Sequence, residues 1–150
     1  MVFFQRSINS SVRQLDPDRL KVESSFLDLE HSLHLEIEVR KSTGEILSAR
    51  AIMPKSPFTR CKECVSGADL LVGMRVGRGI MGKISENLGG PRSCVHLVEL
   101  VSDAVRLIGM LFAGEGEDYS YPGDPSLPEE EVIANLKPRL RNSCMVFADD

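Results

Sequence analysis

The residue types best suited to chemistry in this sequence are a thiol and an imidazole two positions apart. Cys94 and His96 lie in the stretch GGPRSCVHLVEL, residues 89–100. The Gly-Gly-Pro run ends one helical pattern, and Ser93 is a candidate N-cap for the next, so the pair is expected at a helix start. Thiolates and imidazoles are ligands of transition metals, and together they can also act as nucleophile and base.

Helix geometry limits what this pair can do. Each residue of an α-helix turns about 100°, so residues two apart project about 200° from one another. Cys94 and His96 can therefore share a metal only if Cys94 lies at or before the N-cap, where the backbone is not yet helical. The irregular Gly-Gly-Pro entry is compatible with such a position.

Composition narrows the classes of function. The chain has 150 residues, 42% of them hydrophobic, which predicts one domain over residues 1–150 with a core of its own. A net charge of -4 argues against nucleic-acid binding, which needs clustered cations. No stretch reaches the roughly 20 apolar residues of a membrane span. The apolar run at the start of the sequence is too short for a signal peptide. We therefore expect a cytoplasmic protein whose four cysteines are reduced thiols or metal ligands.

The first third of the chain, residues 1–55, is predicted to be mainly β-structure. Apolar and polar residues alternate over residues 33–40, the pattern of a strand with one solvated face. Turn residues at 41–45 and a return strand at 46–53 would complete a hairpin, with weaker strands at 2–10 and 19–29. Alternation places His34 on the polar face and His31 on the opposite face, unless a bulge intervenes.

The rest of the chain is predicted to be mainly helical over residues 61–112. The expected elements are helices at 61–72, at 80–88 and from Ser93 to about Phe112, an acidic loop at 113–128, and a short helix at 129–142 that Pro138 ends or kinks. Strands followed by helices define an α+β fold, with an antiparallel sheet of three or four strands and the helices packed on one face.

The central stretch CKECVSGADLLVGMRVGRGIMGKISENLGGPRSCVHLVEL resembles an uncharacterised bacterial family, domain of unknown function 2889. The positions that carry the resemblance are Cys61, Leu71, Gly73, Val76, Gly77, Gly79, Gly89, Gly90, Cys94, His96, Leu97, Glu99 and Leu100. Two weaker similarities lie outside it: His31-Ser32-Leu33 is similar to a family His-Asp-Met, and Cys144-Met145 to a family Cys-His. The departures are Ser32, Ser93, Val95 and Met145, and Met145 removes a histidine.

The resemblance implies a set of site residues but no reaction. The positions carried over are His31, Cys61, Cys94, His96 and Cys144. Four such ligands around one point would suit zinc or iron. Cys64 forms a C-x-x-C with Cys61, but no second pair completes a zinc-finger spacing and the family pattern has no counterpart, so we expect Cys64 to be incidental.

Three functional hypotheses follow. The first is a domain with a Cys/His site that binds a transition metal in an accessory or sulfur-handling role. The second is a structural or partner-binding module whose Cys and His belong to the core, since free cysteine is commonly buried. The third is a cysteine-dependent enzyme acting on a small molecule, with Glu99 as a possible partner for His96. The partner would be a small molecule or a protein, and an oligomer is compatible with the sequence.

Overall fold

One antiparallel sheet contains four strands in sequential order. A computed structural model describes residues 1–91, 93–113 and 126–149. The strands are β1 (Ser7–Asp16), β2 (Arg19–Leu27), β3 (Ser32–Arg40) and β4 (Ile46–Lys55), each paired with its neighbours. Helices follow the sheet along the chain, so the predicted α+β class is confirmed.

The first strand differs from the prediction, which placed it at residues 2–10. It begins at Ser7 and runs to Asp16, paired with β2 throughout. Its sequence, SINSSVRQLD, is too polar for alternation to reveal it. The tight turn to β2 sets its end, because the carboxylate of Asp16 accepts hydrogen bonds from the Asp18 backbone at 2.9 Å and from Arg19 at 2.6 Å.

The two central strands bury one face of the sheet. On β3 the predicted alternation is confirmed: Leu33, Leu35, Ile37 and Val39 are buried, and His34 is exposed. On β2 the residues pointing the same way are Leu20, Val22, Ser24 and Phe26. The remaining face carries mainly polar side chains and is exposed to solvent over much of its area.

The helical elements begin with a 3₁₀ helix at Thr59–Leu71, where an ordinary helix at 61–72 was expected. It contacts β4. Two α-helices follow, α1 (Ile80–Leu88) at its predicted position and α2 (Val95–Ala113) close to it. The buried stripe of α2 has the period of a helix lying on a core, and consists of Leu97, Leu100, Val101, Ala104, Val105 and Ile108.

The start of α2 requires one correction. Ser93 was expected to be the N-cap, but the backbone N–H of Val98 donates to the carbonyl of Cys94 at 3.1 Å. Cys94 therefore occupies the N-cap position, immediately before the first helical residue, Val95. This is the position at which the geometric argument allows its thiol to approach His96.

Contacts divide the chain into two compact units, residues 1–108 and 109–150. In the second unit α3 (Glu129–Leu140) has three acids in its first turn and contains Pro138, so the helix ends two residues after the proline. A short 3₁₀ turn follows at Met145–Phe147. Residues 114–125 of the predicted acidic loop lie outside the described residues. The single domain expected over residues 1–150 stays a prediction.

Candidate functional site

The turn between β2 and β3 is shaped by one buried carboxylate. Asp28 follows the last residue of β2, and its side chain is only 3% exposed. Its Oδ1 accepts the backbone N–H groups of Glu30 at 2.9 Å and His31 at 2.7 Å, the bonding of an Asx turn. The same oxygen lies 3.0 Å from Nδ1 of His31. The turn therefore fixes both the backbone and the imidazole ring of His31.

A second imidazole reaches this turn from the first turn of α2. The ring of His96 lies against that of His31, with centroids 4.0 Å apart and planes inclined by 43°. On another side it contacts the ring of the buried Phe26 at 4.8 Å. Asp28, His31 and His96 each offer one metal-ligating atom, and these atoms all lie within 4.8 Å of one another. We refer to these three residues as the Asp-His-His cluster.

The protonation states in the cluster suit metal binding. Burial lowers the pKa of His96, the charges of His31 and Arg6 lower it further, and the charges of Asp28 and Glu99 oppose this. Burial acts to raise the pKa of Asp28, but hydrogen bonds from the Glu30 backbone and from His31 outweigh it, so the pKa is lowered. A neutral imidazole beside an ionised carboxylate is the state in which these groups bind a cation.

An arginine from before β1 borders the cluster. The guanidinium of Arg6 donates to both carboxylate oxygens of Glu99 at 3.1 Å and lies 4.0 Å from Oδ2 of Asp28. It also lies over the ring of Phe26, 4.9 Å from its centroid. Glu99 was a possible partner for His96, but its hydrogen bonds go to Arg6, because a guanidinium matches both oxygens of a carboxylate. The charge of Glu99 also acts on His96, and the role expected for Glu99 as its partner stays a prediction.

Two further cysteines concern this region, Cys94 at the start of α2 and Cys64 on the 3₁₀ helix. The sulfur of Cys94 is 3.8 Å from Nδ1 of His96. Cys64, on the 3₁₀ helix, donates to the carbonyl of Cys61 at 2.6 Å. The pKa of the Cys64 thiol is raised to about 11, mainly by burial and to a smaller extent by the neighbouring Cys94. The expectation that Cys64 is incidental stays a prediction.

The predicted site residues are therefore distributed unevenly. His31 and His96 meet at the junction of the β2–β3 turn and α2 with Cys94 beside His96, and Cys61 accepts a hydrogen bond from Cys64 on the 3₁₀ helix. Cys144 lies in the second unit, where it is exposed and directly precedes the 3₁₀ turn at 145–147. The role predicted for Cys61 and Cys144 as metal ligands stays a prediction.

Sequence reasoning missed Asp28. The signal was present: a polar residue at the end of an apolar strand, three positions before His31, is typical of a turn in which aspartate binds the backbone. The carboxylate lies between two leucines, and its position next to the histidines depends on tertiary folding.

An α+β domain with a cluster of Asp, His and Cys side chains between a sheet turn and a helix start is the class that these observations define. The chain matches the family described as protein of unknown function (DUF2889) over residues 4–108, well over half of its length. It belongs to this family. The matched segment contains the Asp-His-His cluster and the first three cysteines, and ends before Cys144.

A comparison with curated proteins and with solved structures finds no match for this chain. Among the described residues, no helix is both long and apolar enough to cross a membrane.

Proposed function

We propose that this chain is a transition-metal-binding domain in which Asp28, His31 and His96 hold Zn²⁺ or Fe²⁺. The observation that carries the proposal is the convergence of one carboxylate and two imidazoles, whose ligand atoms lie within 4.8 Å of one another. They come from a turn and a helix more than 60 positions apart in sequence, which argues for a built arrangement. Two imidazoles and one carboxylate are the protein ligands of many zinc and non-haem iron sites.

The distance between the first two groups supports this assignment. Adjacent ligands around a metal with bonds of about 2.1 Å lie roughly 3.0–3.4 Å apart in octahedral or tetrahedral geometry. Oδ1 of Asp28 and Nδ1 of His31 are 3.0 Å apart. A metal ion would replace the proton that these atoms share, which is the usual proton release on metal binding. The two backbone N–H groups on Asp28 would continue to orient it.

Unpaired imidazole nitrogens in the Asp-His-His cluster also support a metal ligand role. Within the part of the chain that the structure describes, no hydrogen bond joins Nε2 of His31 or of His96 to another residue. Buried or half-buried polar atoms are ordinarily satisfied, so unpaired ring nitrogens at this junction favour a ligand. Cys94 lies beside His96, with its sulfur 3.8 Å from Nδ1, but is not one of the three residues whose ligand atoms converge. Because a thiol lies beside one of the three proposed ligands, we infer an accessory or sulfur-handling role, and a reducing, cytoplasmic compartment would suit the free cysteines.

Metal analysis tests the proposal directly. Protein purified without a histidine tag should contain close to one zinc or iron per chain, and chelated protein should take up one Zn²⁺ in competition with a chromophoric chelator. His31→Gln and His96→Gln should each weaken binding on the order of 100-fold, as expected for loss of a ligand. His34→Gln is the matched control, since His34 lies exposed on the outer face of the sheet. Equal zinc binding by the natural chain and a His31→Gln/His96→Gln double variant would overturn the proposal.

A second candidate, a cysteine-dependent enzyme for a small molecule, is favoured by one observation. The sulfur of Cys94 lies 3.8 Å from Nδ1 of His96, where the ring can accept the thiol proton. Chelated protein should then alkylate at Cys94 faster than a His96→Gln variant does at neutral pH. Equal rates of labelling in the two proteins would remove this candidate and leave the metal proposal standing.

A further inference from the structure

The outer face of the sheet contains a cavity that extends across all four strands. Two neighbouring rows of paired residues form its floor, and each row runs from β1 to β4. The cavity has a volume of about 540 Å³, within the range of roughly 300–1,000 Å³ typical of small-molecule sites. The first row is Asn9, Ser25, His34 and Ile52, and the second is Ser11, Glu23, Glu36 and Arg50; all of them except Arg50 line the cavity.

Short side chains on the first two strands create the space. β1 contributes Asn9 and Ser11 and β2 contributes Ser25, whose side chains extend only a few atoms from the backbone. The side chains that β3 contributes, His34 and Glu36, are longer. Ser25 is at the centre of its row, since its cross-strand partners are Asn9 on one side and His34 on the other. A larger side chain at position 25 would therefore occupy the cavity.

The two carboxylates of the second row are each paired with a cation. Glu23 and Glu36 are directly opposite each other, an arrangement that destabilises a sheet unless cations balance it. Arg13 donates to Oε1 of Glu23 at 3.1 Å, and Nζ of Lys21 lies 2.9 Å from Oε2 of Glu36. The hydrogen bond from Lys21 is the main reason why the pKa of Glu36 is lowered, so this carboxylate is ionised at neutral pH. Because these charges are paired within the sheet, the cavity fits a neutral ligand better than a cation or an anion.

The cavity also offers hydrogen-bonding groups that the protein does not use. Oε2 of Glu23 and Oε1 of Glu36 take no part in the contacts with Arg13 and Lys21. A carboxylate oxygen accepts hydrogen bonds, while hydroxyl and amide groups both donate and accept. A hydroxyl group of a ligand also donates and accepts, so a molecule with several hydroxyls matches this lining. Within residues 1–91, 93–113 and 126–149, no hydrogen bond involves the side chains of Asn9, Ser11, Ser25 or His34.

One apolar side chain completes the lining. Ile52 ends the first row beside His34 and is 46% exposed. Covering it with C–H groups of a ligand would remove apolar surface from water, which favours binding. A sugar ring combines such C–H groups on its faces with hydroxyls at its edge.

We propose that this cavity binds a neutral polyhydroxylated molecule of the size of a mono- or disaccharide. Its hydroxyl groups donate to the carboxylate oxygens of Glu23 and Glu36 and exchange hydrogen bonds with the amide of Asn9. This inference goes beyond the proposed metal binding and does not depend on it, because the cavity and the Asp-His-His cluster lie on opposite faces of the sheet.

NMR titration of the full chain, labelled with ¹⁵N and treated with chelator, tests the inference. The saccharide probes are glucose, galactose, N-acetylglucosamine, maltose and cellobiose, and the charged probes are spermidine and inorganic phosphate. We expect at least one saccharide to give saturable shifts of the amide signals of residues 9–11, 23–25 and 34–36. The absence of saturable shifts with all five saccharides, shifts confined to other residues, or tighter binding of spermidine or phosphate would each overturn the inference.

Variants locate the binding. Ser25→Leu fills the centre of the cavity and should weaken saccharide binding at least tenfold, whereas Ser48→Leu makes the same change at an exposed position outside the cavity and should leave binding unchanged. Asn9→Ala is the milder variant and should weaken binding about 3–10-fold, as expected for one hydrogen bond. The His31→Gln/His96→Gln double variant should bind the saccharide as the natural chain does, which separates this inference from the proposed function. Equal saccharide affinity in Ser25→Leu and the natural chain would contradict the assignment.

Discussion

Two polar clusters lie between α2 and the sheet, and they differ in how far the protein satisfies them. His96 and Asp103 are seven positions apart on α2, so they lie on the same face of the helix. Phe26 contacts His96, and Ser24 is linked to Asp103 through the hydroxyl of Ser10; Phe26 and Ser24 are two positions apart on β2, on the same face of that strand. Both clusters therefore lie between the same face of α2 and the same face of β2, about two helical turns apart along α2.

The cluster around Asp103 is closed. The hydroxyl of Ser10 donates to Oδ2 of Asp103 at 2.5 Å, so the hydroxyl of Ser24 must donate to Ser10 across their 2.8 Å contact. Ser24 is 4% exposed. Each hydroxyl donor has an acceptor, and the carboxylate ends the chain. Such a network stabilises one packing of helix on sheet and leaves no donor for a ligand.

The Asp-His-His cluster, in contrast, contains polar atoms without a hydrogen-bond partner. Its carboxylate holds a turn, but the Nε2 atoms of His31 and His96 have no hydrogen-bond partner among the described residues. The two clusters are thus similarly buried between α2 and β2, but only the Asp-His-His cluster has unpaired nitrogen atoms. The comparison teaches that unpaired imidazole nitrogens, and not the presence of polar residues in the interface, distinguish the candidate site from the structural contact.

The largest effect is expected at the residue that supports the open cluster. Phe26 is fully buried and contacts both His96 and Arg6. Phe26→Ala should lower the free energy of unfolding by about 3–5 kcal/mol, because the cavity adds to the lost burial. Urea denaturation of chelated protein measures this. Phe26→Leu is the milder variant: it should cost less stability yet still weaken zinc binding, since the ring beneath His96 is lost. Unchanged zinc affinity in a folded Phe26→Leu protein would contradict the supporting role.

A smaller effect, on stability alone, is expected at the closed cluster. Asp103→Ala removes the acceptor of Ser10 and should lower the free energy of unfolding by about 1–3 kcal/mol. Its zinc affinity should equal that of the natural chain. Asp103→Asn keeps an acceptor oxygen and should lose less stability. If Asp103→Ala lost zinc binding while remaining folded, the two clusters would be coupled and the comparison would fail.

The elements that hold the site were predictable where one periodicity is unbroken. The alternation in β3 and the helical stripe of α2 both place apolar residues against one core, so their positions follow from local pattern. β1 was misplaced because its core face carries Ser10 in addition to Ile8 and Val12, and only pairing with β2 establishes it. Local pattern does not report a strand whose stability comes from its neighbour.

The site itself was predictable only in part, for reasons of the same kind. The approach of Cys94 to His96 follows from two neighbouring positions and the rules of helix starts. The contact between His31 and His96 needs tertiary folding, and only the resemblance to a family indicated it. Cys64 was expected to be incidental because no second C-x-x-C completes a zinc-finger spacing and the family pattern has no counterpart for it.

The smallest effect is a pH dependence that distinguishes the clusters without removing a core group. The folded chain lowers the pKa of His96 below its usual value of 6.5, so the unfolded chain takes up the proton first. The stabilisation is fully present above pH 6.5 and is lost as the pH falls from there toward the folded pKa. His96→Gln should therefore flatten the fall in the free energy of unfolding between pH 7.5 and 5.5, measured by urea denaturation with chelator present. Asp28, whose pKa is also lowered, acts in a separate window below its usual 3.8. His34→Gln and Asp103→Asn should keep the slope of the natural chain, and an unchanged slope in His96→Gln would show that the imidazole at this junction is not held in its neutral form.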